Sequence, residues 1–262
     1  MVPTAIKRFV RKSSSLFFGR FPRIHRIPFG PNKGRKIFIS FDISPRMYFG
    51  IDEPWIAELA QRHINPGDVV YDIGAHIGYT VLQFVQNVGD AGIVHAFEIL
   101  PSVAEGFLRK TIEANNFNNV VIHAVGLSNL EQTLELPIGE TMMTSLSSGA
   151  SKGRKTELCK VVRLDDYVAL AHLPLPSLIK IDIEEAEVDC LLGALNIIEK
   201  CHPLLIIEFH SLDLLSKGHT ILDSLGYVIT TQKSIVDKQF LQDTDWFHES
   251  VFCSSLNGFS PK

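Results

Sequence analysis

The chain has little of what disulfide scaffolds, zinc sites and membrane spans require. Its four cysteines, Cys159, Cys190, Cys201 and Cys253, form no CxxC pair and no metal-type spacing. They are expected to be free, buried thiols of a reducing cytosol. Ten histidines include no HxxxH or HExxH pair to suggest zinc, and no metal ligand is expected, the alternative being a divalent ion on Asp182, Glu184 and His210. The apolar runs are short, "PLLII" at 203–207 being typical, far below the ~20 residues of a membrane span. Acidic residues are missing from the first 41 positions, which carry ten lysines and arginines. The net charge of −4 therefore leaves −14 on the remainder, and a basic arm precedes an acidic body.

The arm lacks the continuous apolar stretch of a secretory signal, because "RKSSS" and the charges interrupt it. "IKRFVRKSSSLFF" instead interleaves Ile6, Phe9, Val10, Leu16 and Phe17 with basic residues at roughly helical spacing. That pattern suits peripheral contact with an anionic membrane, at the inner surface of the cell, against the plainer alternative of a basic tail packed on the acidic body. Nucleic acid is not an expected partner, since no recognition motif accompanies the basic residues.

From residue 66 the pattern is regular. Strands are expected at 69–73, 92–98, 120–125, 178–183, 204–209, 227–231 and 249–254, separated by helical periodicity as in "PSVAEGFLRKTIEANN" and "EAEVDCLLGALNIIEK". Such alternation predicts a mostly parallel sheet with helices on both faces. Residues 1–65 form an extension holding a strand, "RKIFISFDI", and a helix, "EPWIAELAQRHI"; residues 66–262 form the α/β domain. "TMMTSLSSGASKGRKTE" reads as an exposed loop or flap.

An open parallel sheet binds its ligand at the carboxyl ends of its strands. In "VVYDIGAHIGYT" (69–80) the first strand ends at Asp72, followed by Gly74 and Gly78, which permit a tight turn and close approach. The spacing is not G-x-G-x-x-G, and a carboxylate beside the turn would repel a pyrophosphate. "VHAFE" ends the next strand at Glu98, placed to accept hydrogen bonds from ribose hydroxyls. "LIKIDIEEAE" supplies Asp182 and Glu184, and "LLIIEFH" supplies Glu208 and then His210. A row of carboxylates suits a ligand with ribose, ammonium and sulfonium groups and no phosphate, which describes S-adenosylmethionine.

"PGDVVYDIGAHIGYT", "AFE", "VVRLDDYV" with "LIKIDIEEAE", and "PLLIIEFH" follow one another in an order that resembles the FkbM family of S-adenosylmethionine-dependent methyltransferases. The resemblance implies a Rossmann-like, doubly wound, mostly parallel seven-stranded sheet of the class I methyltransferase type. It implies a cofactor site of Glu53, Asp72, Gly74, His76, Gly78, Glu98, Val125, Gly126 and Asp182, with S-adenosylmethionine as cofactor. It implies O-methylation of a small-molecule or glycan acceptor. The candidates for taking the acceptor's proton are Asp182, Glu184 and His210. Three positions depart from the family's usual pattern: Glu185 stands for a glycine, Ile99 for a proline and His76 for an asparagine. A non-catalytic binding module of the same fold and a nicotinamide oxidoreductase are the alternatives. Binding of S-adenosylmethionine against nicotinamide dinucleotides discriminates them.

Overall fold

The computed structural model describes residues 21–138, 155–244 and 249–255. The amphipathic piece of the basic arm and most of the Ser/Gly-rich segment lie outside them. Twelve strands are present among these residues. In chain order they are β1 (Arg23–Arg26), β2 (Lys36–Ile39), β3 (Val69–Ile73), β4 (Ile93–Phe97), β5 (Val120–His123) and β6 (Gly126–Leu127). They continue with β7 (Gln132–Pro137), β8 (Thr156–Val162), β9 (Leu178–Ile181), β10 (Leu204–Phe209), β11 (Tyr227–Thr230) and β12 (Glu249–Ser255).

The main sheet has the order β11-β12-β10-β9-β3-β4-β5. Pairing is parallel from β10 through β5, and β12 is antiparallel to both β10 and β11. Strand order reverses at β3, so the crevice opens where β3, β4 and β9 end, at the topological switch point. The fold is thus Rossmann-like and doubly wound, with helices on both faces.

The pleat sends alternate residues of each strand to opposite faces, and both faces are buried. Tyr71 and Ile73 of β3 join Ile179, Ile181, Leu205 and Ile207 under the helices Glu187–Leu192, Leu195–Cys201 and Leu212–Ser224. Val70 faces the other way, with Val94, Leu178 and Ile206, against Ile56, Leu59, Val81 and Phe84 of the helices Pro54–His63 and Tyr79–Val88. The near-continuous β-branched runs of these strands reflect this two-sided burial.

"EAEVDCLLGALNIIEK" is not one helix. It breaks between Leu192 and Leu195. A Cβ at Gly193 would lie 2.0 Å from the carbonyl oxygen of Ser128, so the chain passes against another backbone there. The second helix restarts on Asp165, whose carboxylate accepts from the N–H groups of Asn196 and Ile197 at 3.1 and 3.0 Å. A three-stranded sheet, β6-β8-β7, occupies a region where strand periodicity is weak. Its ladder forms between segments far apart in sequence, Gln132 pairing with Val161 and Pro137 with Thr156. The cysteines are free, three of them buried and Cys201 half-buried. No described helix is long and apolar enough to cross a membrane.

Candidate active site

At the carboxyl ends of β3, β4 and β9 lies a cavity of about 350 Å³. Gly74, Ala75 and His76 of the β3 turn line it, as do Glu98 and Ile99 after β4, and Val125, Gly126 and Leu127 on the far side. Lys180, Asp182 and Glu184 close the β9 side. Ile43, Ser44, Met47 and Glu53, from the segment before the first strand of the main sheet, cover the mouth.

The two glycines of the turn have separate reasons. Gly74 has φ 81°, and a Cβ there would lie 1.9 Å from the Asp182 carbonyl oxygen, so two strand ends meet backbone to backbone. Gly78 has φ 92° and packs on Leu108 and Thr111, away from the cavity. Its role is to start the helix Tyr79–Val88. His76 has φ 49°, a left-handed conformation that asparagine and histidine both tolerate, which accounts for the exchange at this position.

Asp72 is placed under the cavity rather than in it. It is wholly buried, accepts from the Thr80 hydroxyl at 2.6 Å and lies 3.6 Å from the Lys180 ammonium. Burial pushes its carboxyl up, against the pull of Lys180 and Thr80. Lys180 also donates to Asp182 at 3.0 Å. Burial works against its charge, yet Asp182 and Asp72 outweigh it and hold Lys180 protonated. In return, Lys180 overcomes the burial of Asp182 and holds that carboxyl below its ordinary range. Lys180 carried no signal as a site residue in the sequence. The feature that could have found it is a lysine inside the short apolar strand "LIKI", which is buried on both faces.

Glu98 is fixed by the backbone: its oxygens accept from the N–H of His76 and of Leu100, both at 2.9 Å. Burial raises it to about 7 despite these donors. Each carboxylate oxygen keeps a second lone pair for a ligand hydroxyl. Glu53 is raised to about 8, chiefly by burial, with Lys180 opposing and Asp182, Asp52 and Glu208 reinforcing. His76 is lowered to about 4 by burial and is neutral, and its Nε2 has no hydrogen-bond partner in the cavity wall.

His210 stands beside the cavity, not among the residues lining it. Its Nδ1 hydrogen-bonds the wholly buried Glu187, and its Nε2 lies 3.5 Å from Glu184. Burial pulls its pKa down, but the Glu187 hydrogen bond and the charges of Glu187, Glu184 and Asp182 lift it to about 9. It is an imidazolium at neutral pH, which does not suit the proton-accepting role considered for it. Glu187, in the first turn of the helix Glu187–Leu192, is the residue that orients it.

A backbone-lined pocket at a switch point, with an acid at the second strand end and carboxyls at its other wall, lies where Rossmann-like folds bind their nucleotide and nucleoside ligands. The chain belongs to the FkbM methyltransferase family, whose "Methyltransferase FkbM domain" profile matches residues 72–229. Among solved structures it is similar to the FkbM methyltransferase of Methylobacillus flagellatus, at 19% identity and a TM-score of 0.47, over 76% of this chain and 51% of that one. It thus spans about half the length of that protein. It is also similar to Aeropyrum pernix fibrillarin with natively bound S-adenosyl-L-methionine (12%, TM-score 0.47, 76% and 73% covered). A Thermotoga maritima S-adenosylmethionine-dependent O-methyltransferase gives 11%, a TM-score of 0.46 and coverages of 78% and 65%. These likenesses are remote and assign no residue and no acceptor. No curated protein matches the chain.

The cofactor of the family is S-adenosylmethionine, and the residues present fit it. Glu98 offers acceptors to a ribose, and the orphaned His76 Nε2 offers a polar contact in the same wall. Gly126, whose Cβ would lie 2.5 Å from Ile99, keeps the opposite wall thin. Asp182, held ionised by Lys180, and Glu184 beside it give an acidic end for sulfonium and ammonium charges.

Proposed function

We propose that the protein transfers a methyl group from S-adenosylmethionine to a hydroxyl oxygen of a sugar, a glycolipid or a secondary metabolite. The observation that carries this reading is the wall formed by Asp182 and Glu184, where Lys180 keeps Asp182 ionised in the cofactor's own cavity. An anionic wall disfavours carboxylate or phosphate acceptors and accommodates neutral hydroxyls. S-adenosylmethionine supplies a methyl carbon already activated by its sulfonium. The chain's part is to align the acceptor oxygen with that carbon, which can be worth ~7–11 kcal/mol, and to take the hydroxyl proton. Asp182 is the proton acceptor in this scheme, with Glu184 beside it, and the imidazolium of His210 helps hold the local negative charge.

Glu185, which stands for a glycine of the family pattern, is the feature that most favours a non-catalytic module. At φ 64° it adopts the backbone conformation a glycine would take there, so the rim keeps its shape and that argument weakens. We further propose that the basic arm brings the protein to anionic membranes, with Arg23, Ile24 and Arg26 exposed on β1 at its described end. Binding to anionic liposomes that is lost in salt tests this.

The enzymatic reading is tested by thermal shift with S-adenosylmethionine, S-adenosylhomocysteine and NAD, then by mass-spectrometric screening for acceptors gaining one methylene. With an acceptor in hand, Asp182→Asn should lower turnover at saturating cofactor at least ~100-fold, over and above any weakening of cofactor binding at the acidic wall. Normal turnover in that variant refutes the assignment of Asp182.

A further inference from the structure

We propose that Asp182, Glu208 and His210 form a binding site for one divalent first-row cation of the Mn²⁺ or Zn²⁺ type. The strands bring these residues together: β9 and β10 run parallel with Ile181 opposite Ile207, so Asp182 and Glu208 follow at adjacent ends, and His210 comes two residues later. One ligand atom from each lies within 4.8 Å of the others. Bonds of about 2.0–2.2 Å place neighbouring ligands about 3 Å apart and opposed ones about 4.2 Å apart, so modest side-chain closure completes a site.

Two further features point to a cation. The His210 Nδ1 is engaged by Glu187, a fully buried carboxylate, which turns Nε2 toward the acids, where a bound dication takes the place of the Nε2 proton. A carboxylate behind an imidazole is the arrangement by which proteins orient and strengthen a metal-binding histidine. Charge gives the second. Asp182, Glu184, Glu187 and Glu208 gather around His210 and one ammonium, that of Lys180, which is shared with Asp72. A dication offsets charge that Lys180 and the single sulfonium of the cofactor leave unbalanced. One imidazole with carboxylates suits Mn²⁺ or Zn²⁺ better than Mg²⁺, which favours an all-oxygen shell. The cation's position at the acceptor side of Asp182 suits it to draw in an acceptor oxygen. That role rests on the proposed methyl transfer, although the binding itself does not.

The test is titration of the full chain, freed of metal by a chelator, with MnCl₂, following free Mn²⁺ by electron paramagnetic resonance. The expected result is one Mn²⁺ per chain, displaced by Zn²⁺, with nitrogen coupling from an imidazole in the pulsed spectrum. Glu187→Gln should weaken binding ~10–100-fold, and Glu208→Gln and His210→Gln at least as much. Glu208→Gln changes a half-buried side chain and carries the test if the His210 variant does not fold. Failure to retain Mn²⁺, binding that survives Glu208→Gln, or absence of nitrogen coupling overturns the site. Calorimetry with S-adenosylhomocysteine on the same protein separates the two readings. Cofactor binding without Mn²⁺ binding overturns the cation site alone, and Mn²⁺ binding without cofactor binding overturns the methyl-transfer reading alone.

Discussion

Replacing Glu185 by glycine should make the protein more stable, an unusual outcome for a substitution next to an active site. Glu185 is exposed and has φ 64°. In that region the Cβ of an L-residue crowds its own carbonyl oxygen, at a cost of ~1–2 kcal/mol. Glycine removes the cost but gives the unfolded chain more freedom, which takes back ~0.4–1 kcal/mol. The expected net gain is ~0.5–1 kcal/mol, or roughly 1–4 °C in Tm for a chain of this size. Urea unfolding followed by circular dichroism measures it. Glu185→Ala is the necessary partner, since it loses the same side-chain contacts but keeps the Cβ, and the difference between the two variants isolates the backbone. If glycine is no more stable than alanine, the strain argument is refuted.

Glu98→Ala should weaken S-adenosylhomocysteine binding by ~1.5–3 kcal/mol in calorimetry, and it should also lower stability by ~1–3 kcal/mol because the N–H groups of His76 and Leu100 lose their acceptor. Unchanged affinity would remove Glu98 from the cofactor site. Lys180→Met strands Asp72 and Asp182 without their shared cation and should cost ~3–5 kcal/mol in denaturant unfolding; a near-neutral result would mean that the pair is not held as ions. For His210 the folded pKa, about 9, lies above the ordinary 6.5, so its stabilisation is complete below the latter and fades as pH rises through the former. The Tm of the wild type should therefore fall across that interval more steeply than that of His210→Gln, and parallel curves would contradict the pairing with Glu187.

The sequence by itself determined the sheet and the family. The apolar runs at 69–73 and 204–209 form strands with those bounds because both faces of each are buried, so composition alone marks them. The acid at the end of "VHAFE" lies at the carboxyl end of β4, where strand direction must put it, and it lines the cavity. What tertiary structure decided was everything set by pairing across distance. The strands Gln132–Pro137 and Thr156–Val162 exist through their ladder with each other, not through local pattern. Asp72 lies one residue before the turn in the sequence but under the floor of the cavity in space, because Thr80, in the first turn of the helix that follows, and Lys180, on another strand, take up its carboxylate. The charge of His210 is the clearest case. Its own sequence suggests a neutral imidazole, and only the convergence of Glu184 and Glu187 on its two nitrogens makes it a cation, since a pKa belongs to the surroundings of a group and these are assembled by the fold.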